Sequence, residues 1–108
     1  MLPNLPAATD DNFQALVIES EQPVLVDFWA PWCGHCRRLA PTIEGFAEEH
    51  PDLKVVTFNT EEHQRVAAQL QILSLPTLIR FENGAEAARV VGAYPKTVLE
   101  RQLGLTPA

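Results

Sequence analysis

Residues 23–30, PVLVDFWA, form a near-continuous apolar run rich in β-branched and aromatic side chains. A run of that length without polar alternation reads as a strand buried on both faces. Such a strand needs a layer above it and a layer below it, which restricts the chain to a sheet with helices on both sides. One residue in the run, Asp27, is out of place in a buried strand. The run is also far too short to span a bilayer, which takes about 20 apolar residues.

The rest of the chain supplies the neighbours this strand requires. KVVTFN (54–59) reads as a second strand, and TLIRFENG (77–84) as a third that ends on Asn83-Gly84, a hairpin turn signal. EAARVVG (86–92) returns as its partner. A helix over roughly 11–19, capped by Thr9 or Asp10, would turn Phe13, Leu16 and Val17 to one side. A longer helix over 33–50 carries a stripe of Leu39, Ile43, Phe46 and Ala47, with Pro41 inside it to kink it. Residues 61–70 suggest a short helix with Val66, Ala67 and Leu70 inward. Pro95 opens a last helix to about Leu103, and Gly104 stops it. Before Thr9, Pro3 and Pro6 leave room for a short edge strand at most.

The first half of the chain alternates strand and helix and so builds right-handed parallel crossovers. The second half ends in a hairpin. A mixed sheet with helices on both faces follows. No repeat, low-complexity tract or Gly/Ser linker interrupts the 108 residues, which fit one domain, 1–108.

A formal net charge of −6 argues against nucleic acid as a partner and against a polybasic membrane anchor. The N-terminal MLPNLPAATDD lacks the basic and apolar regions of a secretory signal, so a cytoplasmic location without membrane contact is the expectation.

The chain has two cysteines, Cys33 and Cys36, in WCGHC. As a structural staple the pair is nearly worthless, because the loop it closes is tiny. A structural metal site wants four ligands; there is no second cysteine pair, and His50 and His63 are too far apart for the usual H-x3–5-H spacing, so no metal ligand is assigned. The bland alternative is two buried bystander thiols. The pair follows a buried strand and opens a helix, where free N–H groups and the helix dipole favour the thiolate of Cys33. Cys33 is then the attacking sulfur and Cys36, one turn on, the resolving one. Burial of Asp27 would raise its pKa toward neutrality and suit it to move a proton to or from Cys36. Its alternative is an ordinary carboxylate at a sheet edge.

VDFWAPWCGHC, then Pro41, then LPTLIRFENG, then VVGA, resembles the thioredoxin family over essentially the whole chain. The resemblance implies a thioredoxin fold: a three-layer α/β/α architecture with a five-stranded mixed sheet flanked by four helices. It implies Cys33 as nucleophile, Cys36 as resolving cysteine and Asp27 as the buried carboxylate. Trp32, Gly34, Leu75, Pro76, Val91, Gly92 and Ala93 then form the substrate-docking surface, with Leu75-Pro76 as the family's cis-proline loop. It implies no cofactor, disulfide-containing proteins as partners, a thioredoxin reductase-type enzyme for regeneration, and a monomer.

The chain departs from that family at two instructive places. His35 stands where most thioredoxins have proline, and Cys-Gly-His-Cys is the motif of protein disulfide isomerase domains. A positive imidazole would stabilise the thiolate, favour the dithiol and make the protein a better oxidant. Reference potentials for thioredoxin and the isomerase differ by about 90 mV, roughly 4 kcal/mol for two electrons. The plain alternative is a solvent-facing spacer. Thr57 replaces a common lysine beside the buried carboxylate, which should make Asp27 harder to ionise. Thr60 and Ser74 also alter the docking region, and Arg37 and Arg38 either add positive potential or form a solvated helix face. The expected activity is thiol–disulfide exchange, mainly reduction of protein disulfides. Its rivals are disulfide oxidation or isomerisation, a redox-gated binding module without catalysis, and a metal or iron–sulfur site bridging two chains.

Overall fold

The sheet is built around the apolar run. In the computed structural model, which describes residues 5–105, strand β2 (Val24–Trp29) lies between β3 (Lys54–Asn59) and β4 (Thr77–Glu82). β1 (Ala7–Ala8) extends the β3 side and β5 (Ala85–Val91) the β4 side, giving the order β1-β3-β2-β4-β5. β1, β3 and β2 run parallel, whereas β4 is antiparallel to both β2 and β5. The turn between β4 and β5 falls at Asn83-Gly84, both with positive φ, as a two-residue hairpin of opposite-handed turn type demands. The N-terminal strand is the short edge strand that the prolines allow, although Pro3 lies outside the described residues.

Side chains alternate along each strand and sort into two cores. On one face Leu25, Val55, Leu78 and Val90 pack against Leu39, Ile43 and Phe46 of α1 (Gly34–Glu49) and Leu99 and Leu103 of α3 (Lys96–Leu103). On the other face Val24, Val26, Phe28, Val56, Phe58, Ile79 and Phe81 pack against Phe13, Val17 and the Val66-Ala67 pair of α2 (Arg65–Gln69). Phe13 sets its ring edge-on to Phe58 at 5.9 Å and to Phe81 at 5.7 Å. Each such aromatic pair contributes about 0.5–1.5 kcal/mol beyond burial. α1 runs through Pro41 without ending, and α3 stops at Gly104, whose φ is +71°.

Two helices differ from the sequence expectation. The first is not an α-helix over 11–19 but a π-helical turn, Gln14–Ile18, in which Glu19 N donates to Gln14 O at 2.9 Å. Lys54 Nζ donates to the Leu16 carbonyl at 3.0 Å and so diverts one acceptor from an α ladder. Thr9 caps the turn that leads into the π-helical turn and not the π-helical turn itself: Asn12 N donates to Thr9 Oγ1 at 3.1 Å, and Thr9 N donates to Asn12 Oδ1 at 2.6 Å, a reciprocal pair. Asp10 instead crosses to α2, accepting from Arg65 N at 3.1 Å and Val66 N at 2.9 Å. α2 therefore starts at Arg65 rather than near Glu61, because its N-terminal amides are satisfied from a residue distant in sequence.

Candidate active site

The two cysteines sit where β2 hands the chain to α1. Cys33 is the N-cap of α1, with extended backbone angles (φ −86°, ψ 105°), and Cys36 lies in its first turn. Their Cα atoms are 5.3 Å apart and the sulfurs are joined in a disulfide. That separation is the ordinary one for a disulfide, so helical geometry alone brings the pair into bonding range. The Cys33 sulfur also accepts a hydrogen bond from Cys36 N at 3.2 Å. It occupies the place a serine or aspartate oxygen takes in a usual N-cap, beside the positive end of the helix. Cys33 and Cys36 are almost equally covered, at 5% and 3% exposed, so burial does not distinguish them; only Cys33 occupies the helix N-cap.

The positive charge around the pair comes from two directions. Arg37 donates to the Pro31 carbonyl at 2.7 Å, and an Arg38 nitrogen lies 2.8 Å from His35 Nδ1. A Cβ on Gly34 would meet the guanidinium of Arg38 at 3.5 Å and of Arg37 at 3.8 Å. Both arginines thus fold back over the Cys-Gly-His-Cys segment, and neither is a detached helix-face cation. Because a guanidinium can only donate, His35 Nδ1 is the acceptor of that contact. His35 itself is exposed.

Beneath α1, Asp27 points into the same face as Leu25, and it is 1% exposed. Both carboxylate oxygens are buried and, among the described residues, lack a hydrogen-bond partner. Burial alone pushes its pKa up to about 7. Thr57 stands opposite it on β3, buried, with no charge to offset the desolvation. Asp27 is therefore no edge carboxylate. Trp29, two residues along the same strand face, also buries its indole N–H without a partner, a feature that nothing in the local sequence marks.

Of the residues expected to dock substrate, Trp32 and Leu75 line one groove and Ala93 another. Trp32, 68% exposed, shares one with Thr60, Leu75 and Leu73. His35 and Arg38 share the other with Ala93 and Tyr94. The Leu75-Pro76 bond is cis. Pro76 is buried, so it shapes this surface from below, and its carbonyl accepts from Gly92 N at 2.9 Å. That bond holds the Leu75-Pro76 and Val91–Ala93 segments together, with Val91 exposed beside them. Gly92 has φ +121°, and a Cβ there would come within 2.9 Å of the Tyr94 ring. Leu73 and Tyr94 were not among the sequence candidates. Leu73 is 91% exposed, and a large apolar side chain standing free beside Trp32 is the signal that marks it.

Comparison with known proteins agrees with this geometry. The thioredoxin family model matches residues 4–104. Thioredoxin 1 of Synechococcus elongatus is 51% identical over 98 residues, 90% of this chain and 92% of that protein. A thioredoxin of Alicyclobacillus acidocaldarius is 48% identical over 88% of this chain and 90% of its own length. The chloroplastic M-type thioredoxin of Chlamydomonas reinhardtii is 47% identical over 86% of this chain and 67% of its own.

Proposed function

The chain belongs to the thioredoxin family and is a thiol–disulfide oxidoreductase, and from that premise we propose how its residues divide the chemistry. The thiolate of Cys33 attacks one sulfur of a substrate disulfide. A mixed disulfide forms and the first substrate thiolate leaves. Cys36, deprotonated by Asp27, attacks the Cys33 sulfur and expels the second substrate thiolate. Two electrons pass to the substrate, and the enzyme keeps the Cys33–Cys36 disulfide. A dithiol-bearing reductase of the thioredoxin reductase type restores the starting state.

The observation that carries this assignment is the hydrogen bond from Cys36 N to the Cys33 sulfur at the helix start, 3.2 Å long. The same amide can stabilise a thiolate on Cys33, and Cys36 has no equivalent position. Asp27 supports the proton step, because a carboxyl with a pKa of about 7 can give or take a proton near neutral pH. The exposed apolar side chains of Trp32 and Leu73, which share one groove, support docking of protein substrates.

The preferred direction is reduction of protein disulfides, with a potential higher than that of a proline-bearing thioredoxin. A specific observation also favours the reverse direction, oxidation or isomerisation as in disulfide isomerase domains. The guanidiniums of Arg37 and Arg38 crowd Gly34 beside His35 and stabilise the dithiol side of the couple. In this reading the permanent charge of the arginines carries more of the tuning than the imidazole does.

Trapping tests the assignment. Incubated with a disulfide-bearing protein, Cys36→Ser should accumulate a mixed disulfide through Cys33, and Cys33→Ser should accumulate none. Equal trapping by the two variants would reverse or erase the division of roles. Unchanged partner function in a double Cys→Ser variant would favour the binding module.

A further inference from the structure

The far end of α1 gathers a second cluster. Glu49 and His50 at the helix terminus and Glu100 in α3 each bring a possible ligand atom within 4.8 Å of the others. Glu100 is 6% exposed. His50 Nε2 lies 3.9 Å from its carboxylate, beyond hydrogen-bond distance. Among the described residues His50 Nε2 and Glu49 Oε1 are both buried without a hydrogen-bond partner. Orphaned buried polar atoms are rare in folded proteins, and two in one cluster call for a bound group.

The charge around the cluster also calls for a cation. α1 ends in Glu48 and Glu49 with no basic residue in its last turn, at the end where the helix dipole is already negative. Lys96 reaches Glu49 Oε2 at 2.6 Å and answers one carboxylate. Among the described residues Glu100 has no other ionic partner within 4 Å than His50.

We propose that Glu49, His50 and Glu100 bind one divalent transition-metal ion of the zinc class. One imidazole nitrogen with two carboxylate oxygens suits zinc, whereas calcium and magnesium favour all-oxygen shells. Ligands about 2.1 Å from the ion stand roughly 3.4 Å apart in a tetrahedron, so the three side chains close slightly upon it. An open groove of about 550 Å³, lined in part by Glu49, His50, Leu53 and Arg80, borders two of the three ligands and offers the ion an approach from solvent. The ion ties the end of α1 to α3. It lies about 24 Å along the helix from Cys33, given 16 residues at 1.5 Å each, and is independent of the thiols. No sequence spacing announces the site, because Glu100 arrives from an element half the chain away.

The test uses the tag-free chain in its disulfide form, so that sulfur cannot chelate. Zinc is titrated by calorimetry, with the histidine ring nitrogens followed by NMR. The expected result is one ion per chain and a shift confined to the His50 ring. Tm should rise by roughly 10 °C with zinc in hundredfold excess over Kd. His50→Gln and Glu100→Gln should each weaken binding at least tenfold, and magnesium should produce none of these effects. Absence of binding at millimolar zinc, binding by either variant as tight as that of the unaltered chain, or a response at His35 or His63 in place of His50 overturns the proposal. If a variant fails to fold, the His50 spectrum of the unaltered chain decides.

Discussion

Asp27 and Thr57 stand opposite each other on adjacent parallel strands, and the carboxylate between them and α1 has no hydrogen-bond partner for either oxygen. A buried acid with neither a hydrogen bond nor a cation is held in its protonated form by desolvation alone. This pairing therefore makes the fold sensitive to pH near neutrality, and in the proposed mechanism it sets when Asp27 can take a proton.

Stability should fall as pH rises through the acid range. Below the ordinary carboxyl pKa of 3.8 the folded and unfolded chains both hold the Asp27 proton. Between 3.8 and about 7 the unfolded chain releases it while the fold retains it, so stability declines; above about 7 both are ionised and the full penalty stands. The difference is on the order of 4 kcal/mol at its largest. Asp27→Asn, which cannot ionise, should gain on the unaltered disulfide form by a few kcal/mol between pH 4 and pH 8. Denaturant melts at the two pH values measure it, and a difference that does not change with pH would rule out a buried, titrating Asp27.

Restoring a cation opposite Asp27 should reverse this. Thr57→Lys places an ammonium beside the carboxylate and should lower its pKa by roughly 1–3 units. Carboxyl carbon NMR across pH 4–9 reads the change directly. The pH inflection of substrate reduction should move down with it, and a rate inflection that stays put while the NMR midpoint moves would remove Asp27 from the proton step.

The arginines, more than His35, should set the redox potential. Replacing Arg37 and Arg38 together by Ala should make the protein more reducing by about 10–30 mV, the scale of one exposed charge interaction. His35→Ala should shift it less. Equilibration against glutathione buffers gives both values. A larger shift from His35→Ala than from the double arginine variant would return the tuning to the imidazole.

Asp10→Ala should loosen α2 without touching the cysteines. It removes an acceptor that serves the amides of both Arg65 and Val66, and the loss should cost about 1–2 kcal/mol. Hydrogen exchange should accelerate at Val66 and Ala67 before it does in α1. Uniform acceleration through both helices would mean that the crossing contact supports the whole fold and not one helix.

Much of this molecule was legible in its residues. The doubly buried β2, the Asn83-Gly84 hairpin and the Gly104 stop each depend on short-range chemistry, and each falls where local pattern puts it. The cysteine pair and the buried Asp27 were readable for the same reason. The features that escaped are made by contacts between distant segments. Lys54 reaches the Leu16 carbonyl of the first helical turn from 38 residues away, Asp10 accepts from the start of α2 from 55 residues away, and Glu100 meets His50 only once α3 has docked. The arginines over Gly34 were left between two readings, because a side chain's direction on a helix surface is not written in its spacing.

The two flanks of the sheet bear on how such a protein lives among its clients. One flank ends in the two residues of β1, directly after Pro6. The other is β5, whose pairing with β4 skips Ala87 and whose Arg89 is clasped by Glu86. Short, kinked and charged borders offer little template for an extended chain to zip onto. The borders of the sheet thus discourage strand addition by a second chain, and with it edge-to-edge association of the protein.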